Sequence, residues 1–116
     1  MSVNINDPVL KVSFFKSENG QEPVRDWLLE FKKKDRKTIG EDIKTAQFGW
    51  PIGMPLIRKF EKGIWEVRSR IESGIARTFF TVKDDNMVLI HGFVKKSMST
   101  TKKEINLVRD RLRKLN

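Results

Sequence analysis

The apolar residues of this 116-residue chain follow two periods. A helical period occurs after Pro23, after Asp35 and through residues 101–115, and it predicts three amphipathic helices. Pro23 suits the first position of the first helix, and Asp35 suits the cap of the second. The apolar stripes of the three helices consist of Val24, Trp27, Leu28 and Phe31; Ile39, Ile43 and Ala46; and Ile105, Val108, Leu112 and Leu115.

Strands are predicted where β-branched and aromatic residues are dense, over residues 9–15, 64–71, 75–82 and 87–94. Short polar segments separate the last three strands and suit hairpin turns. A break rich in glycine and proline at residues 49–55 precedes them. The predicted order is β-α-α-β-β-β-α, in which helices are segregated from an antiparallel meander. The sequence therefore predicts an α+β fold, with residues 1–116 forming a single domain.

Alternation along the last three predicted strands divides their side chains between two faces of a sheet. One face is mostly apolar, and we expect the two early helices to cover it; it holds Trp65, Val67, Ser69, Ile71, Ala76, Thr78, Phe80, Val82, Val88, Ile90, Gly92 and Val94. The other face gathers cations around aromatic rings; it holds Glu66, Arg68, Arg70, Ile75, Arg77, Phe79, Thr81, Leu89, His91, Phe93 and Lys95. We expect this second face to be solvated and basic.

The charge of the chain is unevenly distributed. Lysine and arginine outnumber aspartate and glutamate by 24 to 15, and almost all of the excess lies in residues 58–116. Such a local excess indicates a polyanionic partner, with nucleic acid the first candidate and an acidic protein the second. A solvated basic face without a ligand is the remaining alternative.

Composition excludes several kinds of site. The chain has no cysteine and one histidine, so disulfides and the usual zinc sites are excluded. The adjacent acidic pairs at residues 41–42 and 84–85 make no convincing magnesium site. We therefore expect no metal and no cofactor. No apolar run approaches the ~20 residues of a membrane span, and the N-terminal residues lack signal-peptide features, so we expect a cytoplasmic protein.

Metal-free RNA cleavage is a reaction for which the basic face has sufficient groups. In that reaction the ribose 2′-hydroxyl attacks the neighbouring phosphorus while the enzyme transfers protons and neutralises the phosphoryl oxygens. Arg68 and Arg77 suit the phosphate, His91 suits proton transfer near neutral pH, and Lys95 suits either task. His91 could equally be a structural residue, and Phe79 and Phe93 could be core beneath the last helix rather than rings that stack on bases.

Several segments resemble the HigB-like, phage-derived branch of the RelE/ParE toxin superfamily. They are EPVRDWL, IGEDIKTAQFGWPIGMPLIRKF, GIWEVRSRI, IARTFFTV and VLIHGFVKKSMST. The resemblance implies a twisted antiparallel sheet with helices packed on one face. It also implies the toxin of a type II toxin–antitoxin pair, which cleaves messenger RNA on the ribosome without metal and is neutralised by a cognate antitoxin protein. In the family, the positions of residues 66–68, Arg77 and residues 93–96 mark the active surface.

These arguments give a set of candidate site residues. The catalytic candidates are Arg68, Arg77, Lys95 and His91, and the RNA-binding candidates are Lys59, Lys62, Arg70, Phe93 and Lys96. The chain has no tyrosine, and its last residues contain no histidine, unlike many relatives, so the general acid and base stay open. The alternatives are a non-catalytic, ParE-like inhibitor of DNA gyrase and a phage-derived binding module without nuclease activity.

Overall fold

A computed structural model describes residues 8–51, 53, 55–95 and 101–115. Its elements follow in the order β1 (Lys11–Phe14), α1 (Pro23–Leu29), α2 (Lys33–Gly49), β2 (Ile57–Glu61), β3 (Ile64–Ile71), β4 (Gly74–Lys83), β5 (Asn86–Lys95) and α3 (Lys102–Lys114). The α+β class is confirmed, and the order matches the prediction apart from β2, which the sequence analysis missed. No helix in these ranges combines the length and apolar character needed to cross a membrane.

Two of the three helices start where the sequence predicts. Pro23 is the first residue of α1, and the Thr101 side chain caps α3 by accepting a hydrogen bond from the backbone N–H of Glu104. The predicted cap of α2 is wrong, because α2 begins two residues before Asp35. Asp35 instead lies in the first turn of α2, where a carboxylate complements the helix dipole.

The five strands form one sheet in the order β1-β5-β4-β3-β2. All neighbouring strands are antiparallel except β1 and β5, which pair in parallel, with Phe14 opposite Leu89. The sheet is therefore mixed rather than wholly antiparallel as predicted. The reason is that β1 lies beside β5, at the edge of the sheet opposite β2, and runs in the same direction as β5.

Helices α1 and α2 pack on one face of this sheet, as predicted. Their buried side chains, including Ile39 and Ala46, join a core with Val67 of β3 and Phe80 of β4. Trp27 of α1 is partly buried against the same core. This packing fixes which side of β3 and β4 is left for other contacts.

A bulge in β5 changes the faces predicted for its first half. Phe79 lies opposite His91, while Phe80 lies opposite Leu89, so Ile90 is an extra residue in β5. Leu89 consequently packs in the core beneath α1 and α2, and Ile90 packs with Phe79. The prediction placed Leu89 on the basic face and Ile90 on the apolar face, the reverse of what is observed, because strict alternation cannot anticipate an inserted residue.

Helix α3 covers one end of the face that carries Phe79. Val108 is fully buried there with Ile64, Phe79 and Ile90. A bidentate ion pair between Arg109 and Glu61 joins the outer side of α3 to β2. The alternative that Phe79 is core beneath the last helix is therefore correct, and Phe93 is a partly buried neighbour of this cluster.

Gly92→Ala should destabilise the fold, because a methyl group at position 92 would overlap the Trp27 ring. Either the Trp27 ring or the backbone of β5 must therefore move from its packed position. We expect the free energy of unfolding to fall by about 1–3 kcal/mol, as for other overpacked cores. Urea denaturation measures this loss. Gly40→Ala is the matched control, since position 40 of α2 has open space for a methyl group. This variant should be slightly more stable than wild type, because alanine favours the helix more than glycine does. Equal effects at both positions would contradict the packing argument.

Candidate functional site

A buried ion pair forms the centre of the candidate site. Arg77 Nη1 of β4 donates a hydrogen bond of 2.8 Å to Glu66 Oε1 of β3. Glu66 is fully buried and Arg77 is only 5% exposed. Each of these charged groups makes the burial of the other possible, because burying an unpaired charge carries a large desolvation penalty.

Three further cations lie around this pair. Arg68 is directly opposite Arg77 in the sheet, and Arg58 is directly opposite Glu66. The Nη1 atom of Arg58 lies 4.0 Å from the same Oε1 atom of Glu66. Lys95 pairs with Ile75 and so shares the face of Arg77. We call the set Glu66, Arg58, Arg68, Arg77 and Lys95 the basic cluster. The prediction that Arg68, Arg77 and Lys95 share one face is confirmed.

Exposure differs strongly within the basic cluster. Arg77 and Lys95 are buried, at 5% and 8% exposure, so the expectation that they are solvated is wrong. Arg68 is half-buried, and Arg58 is exposed. The reason for the deep position of Arg77 is the Glu66 carboxylate, which replaces the water that a guanidinium would otherwise need. Only Arg58 and Arg68 of the cluster therefore present substantial surface to a ligand.

The surroundings shift the protonation of the buried cations. Burial lowers the pKa of Lys95, and the nearby guanidinium of Arg77 lowers it further, while Glu66 acts in the opposite direction. Burial also lowers the pKa of Arg77, with Glu66 opposing the change. Arginine stays charged regardless, because its ordinary pKa is so high. Lys95 is thus the cation of the cluster best suited to exchange a proton.

Each partner of the central pair has one polar atom left over. Among the residues that the structure describes, Glu66 Oε2 and Arg77 Nε have no hydrogen-bond partner. The pair therefore makes one of the two parallel hydrogen bonds that an arginine and a carboxylate can form. Buried polar atoms without a partner are rare and point to a functional site or to a group that binds later.

His91 lies in a separate environment beneath α3. Its Nε2 atom contacts Glu104 Oε2, and its Nδ1 atom lies 3.3 Å from Arg111 Nη1. Burial lowers the pKa of His91, and the hydrogen bond with Glu104 opposes this shift. His91 is four residues from Lys95 along β5, which corresponds to about 13 Å in a strand. The structure therefore brings Arg68, Arg77 and Lys95 together and places His91 apart from them.

The predicted RNA-binding residues are dispersed. Lys59, Lys62 and Arg70 are exposed on or beside β2 and β3. Lys59 pairs with Trp65, so it points to the face opposite the basic cluster. Phe93 lies opposite Arg77 and stacks on Phe79, with 5.8 Å between the ring centres. Lys96 lies outside the described residues.

Sequence reasoning missed two members of the cluster, Glu66 as a site residue and Arg58. The resemblance placed residues 66–68 at the active surface without giving Glu66 a role there, whereas the structure shows a hydrogen bond between Glu66 and Arg77. A signal was available, since Glu66 is an acidic residue between Trp65 and Val67 in a predicted strand whose next two residues on the same face are arginines. Arg58 could not be found because β2 was not predicted. In the described part of the chain, no cluster of histidine, aspartate and glutamate could hold a metal ion.

Comparison with protein families identifies the group to which these residues belong. The model of the family described as phage derived protein Gp49-like (DUF891) matches residues 26–113, from within α1 to near the end of α3. The chain belongs to this family. The Gp49-like family is a RelE/ParE-like toxin family, so the resemblance seen in the sequence is confirmed at that level. The match includes every residue of the basic cluster. Among curated proteins, none matches the chain.

Proposed function

We propose that this Gp49-like protein is the HigB-like toxin of a type II toxin–antitoxin system and cleaves messenger RNA on the ribosome without metal. The observation that carries the proposal is the basic cluster, in which four cations surround one buried carboxylate on one face of the sheet. So large a local excess of positive charge suits a phosphate group. Membership of a toxin family supports the biological role.

The roles in the proposed reaction follow from exposure and charge. Arg68 is half-buried and contacts the scissile phosphate at the protein surface. Arg77 is buried and stabilises the phosphate by its positive charge from deeper in the protein. The 2′-hydroxyl attacks phosphorus, a bond to the 2′-oxygen forms, and the bond to the 5′-oxygen breaks. The leaving 5′-oxygen takes its proton from solvent water. Lys95, in its neutral form, takes the proton of the 2′-hydroxyl. The contacts of His91 with Glu104 and Arg111 count against direct proton transfer by this ring.

The remaining cations have supporting roles in the proposal. Lys62, Arg70 and Lys96 contact the RNA backbone, and Phe93 lies at the border of the basic cluster. The position of Lys59 on the opposite face counts against the same role for this residue. The proposed partners are the ribosome, messenger RNA and a cognate antitoxin protein, so the proposed location is the cytoplasm. The ribosome positions the codon in line for attack, which is a large part of the rate enhancement in such a reaction.

Ribosome-stimulated cleavage by the purified protein tests the proposal. Primer extension on a translated message should show cuts at codon boundaries, and free RNA should stay intact. A message left whole in the presence of active ribosomes would contradict the proposed activity.

Arg68→Ala should reduce this cleavage by about 10²-fold or more, as does removal of a group that stabilises transition-state charge. The melting temperature should change little, because Arg68 is half-buried and, among the described residues, the hydrogen bond of Glu66 is with Arg77 and not with Arg68. Arg113→Ala is the matched control, since Arg113 is an exposed arginine of α3 that pairs with Asp110 away from the cluster. If both variants cleave as the wild type does, Arg68 has no role in the reaction.

A second candidate function is non-catalytic inhibition of DNA gyrase, as in ParE-like toxins. One observation favours it: both ring nitrogens of the single histidine are occupied by contacts with α3, so the usual proton-transfer group is engaged elsewhere. Expression in cells separates the two functions. Intact messages together with a DNA-damage response would indicate gyrase inhibition, whereas codon-boundary cuts would indicate the nuclease.

A further inference from the structure

We propose that Glu66 is the positioning residue of the basic cluster, which holds the Arg77 guanidinium in place and keeps the cluster cations assembled when no RNA is bound. This inference rests on the proposed function, because it assigns Glu66 a role at the same site. Glu66 does not touch the reacting atoms in this scheme. It acts through Arg77 and through the charge that it places beside Lys95.

The Glu66 carboxylate lies between two guanidinium groups. Glu66 lies directly opposite Arg58 on one neighbouring strand, and on the other it reaches Arg77 with a hydrogen bond of 2.8 Å. A single oxygen, Oε1, is the atom closest to both guanidinium groups. The carboxylate therefore bridges an exposed arginine and a buried one across three adjacent strands.

The cations of the basic cluster repel one another. Arg68 and Arg77 are directly paired across β3 and β4, and Arg58 and Lys95 lie near enough to act on the same charges. Like charges directly opposite in a sheet are destabilising. Glu66 is the carboxylate that counters them within the described residues, and its complete burial makes each of these interactions stronger than it would be in water.

The pairing of Glu66 with Arg77 is incomplete. Glu66 Oε2 and Arg77 Nε are both buried and both without a hydrogen-bond partner among the described residues. A carboxylate that served only to neutralise a buried arginine would satisfy more atoms by pairing through two parallel hydrogen bonds. The single hydrogen bond holds Arg77 while one buried polar atom of each partner stays unsatisfied, which is more typical of a functional site than of a purely structural ion pair.

The test compares Glu66→Gln with wild-type protein by two independent measurements. The first is the titration of Lys95, followed by the NMR chemical shift of its ε-carbon. Glu66 raises the pKa of Lys95, so removing its charge should move the titration of Lys95 to lower pH. The second is the rate of ribosome-stimulated cleavage as a function of pH. Its rising limb should move to lower pH with Lys95, and the maximum rate should fall by about 10²-fold because Arg77 is misplaced.

Two further variants separate positioning from a merely structural role. Glu66→Asp keeps the charge and shortens the reach, so Lys95 should titrate nearly as in wild type while cleavage stays impaired. This variant also serves if Glu66→Gln does not fold. Glu61→Gln removes a carboxylate that pairs with Arg109 at the edge of the same sheet, and it should change neither measurement.

The outcomes distinguish this inference from the proposed function. An unchanged Lys95 titration in Glu66→Gln, or full cleavage by Glu66→Asp, would overturn the role of Glu66. If wild-type protein does not cleave messages at all, the proposed function fails. The Lys95 titration in Glu66→Gln would then still decide whether Glu66 organises the cluster.

Discussion

Arg77→Ala is expected to abolish toxicity and also to weaken the fold. Loss of the guanidinium removes charge behind the scissile phosphate in the proposed reaction, which should lower cleavage by about 10²–10³-fold. It also leaves the fully buried Glu66 carboxylate without its hydrogen-bond partner. Breaking a buried pair from one side costs about 3–5 kcal/mol, measurable by urea denaturation. The sequence pattern predicts Arg77 on a solvated face, where its loss would leave the fold intact, and the burial of Arg77 reverses that expectation.

A double variant separates the two effects of Arg77→Ala. Glu66→Met with Arg77→Met removes both charges and fills the same volume, so most of the lost stability should return. Cleavage should stay absent, because no guanidinium is restored. If the double variant is as unstable as Arg77→Ala, the ion pair is not the source of the loss. If Arg77→Ala stays fully toxic, the basic cluster is not the active site.

Phe79→Ala should give the largest loss of stability among single changes in the cluster beneath α3. Phe79 is fully buried and packs edge-on against Phe60, with 5.3 Å between ring centres, and parallel to Phe93. Truncation to alanine should lower the free energy of unfolding by about 3–5 kcal/mol. Val108 of α3 contacts the same cluster, so amide protons of α3 should exchange faster with solvent.

Phe48→Ala is the control for Phe79→Ala. Phe48 is a half-buried residue of α2, with the Lys44 ammonium 5.8 Å from its ring centre, and it lies outside both buried clusters. Its truncation should cost much less and should leave the exchange of α3 amides unchanged. Similar losses in the two variants would show that the cluster beneath α3 contributes no more than a surface contact.

Much of the fold could be predicted from residue spacing, and the exceptions have physical causes. The helical stripe after Pro23 and the alternation in β3 and β4 are regular, so their faces follow directly. The bulge at Ile90 has no signature in the local sequence, since every residue from Met87 to Ile90 is apolar and suits either face. Strand β2 was missed because Ile57–Glu61 is short, mostly polar, and follows a segment rich in glycine and proline.

The site was predicted in part for the same reason. Alternation correctly placed Arg68, Arg77 and Lys95 on one face, because the bulge lies before that end of β5 and leaves its register with β4 intact. Alternation cannot reveal depth, and it gave no warning that Arg77 and Lys95 are buried. Depth depends on a partner from another strand, here Glu66, and such pairing becomes visible only when the strands are aligned. The position of His91 beneath α3 depends similarly on Glu104 and Arg111, which are distant in sequence.

The parallel pairing of β1 with β5 has a consequence for the order of events during synthesis. Lys11 leaves the ribosome well before its partner Asn86, which emerges only after α1, α2 and strands β2 to β4 have been made. Closing so long a loop is entropically unfavourable and slow compared with forming the hairpins. Lys95, at the end of β5, also emerges late. A growing chain therefore lacks the complete basic cluster until β5 has been made. Under the proposed function, this delay protects the ribosome that is making the protein.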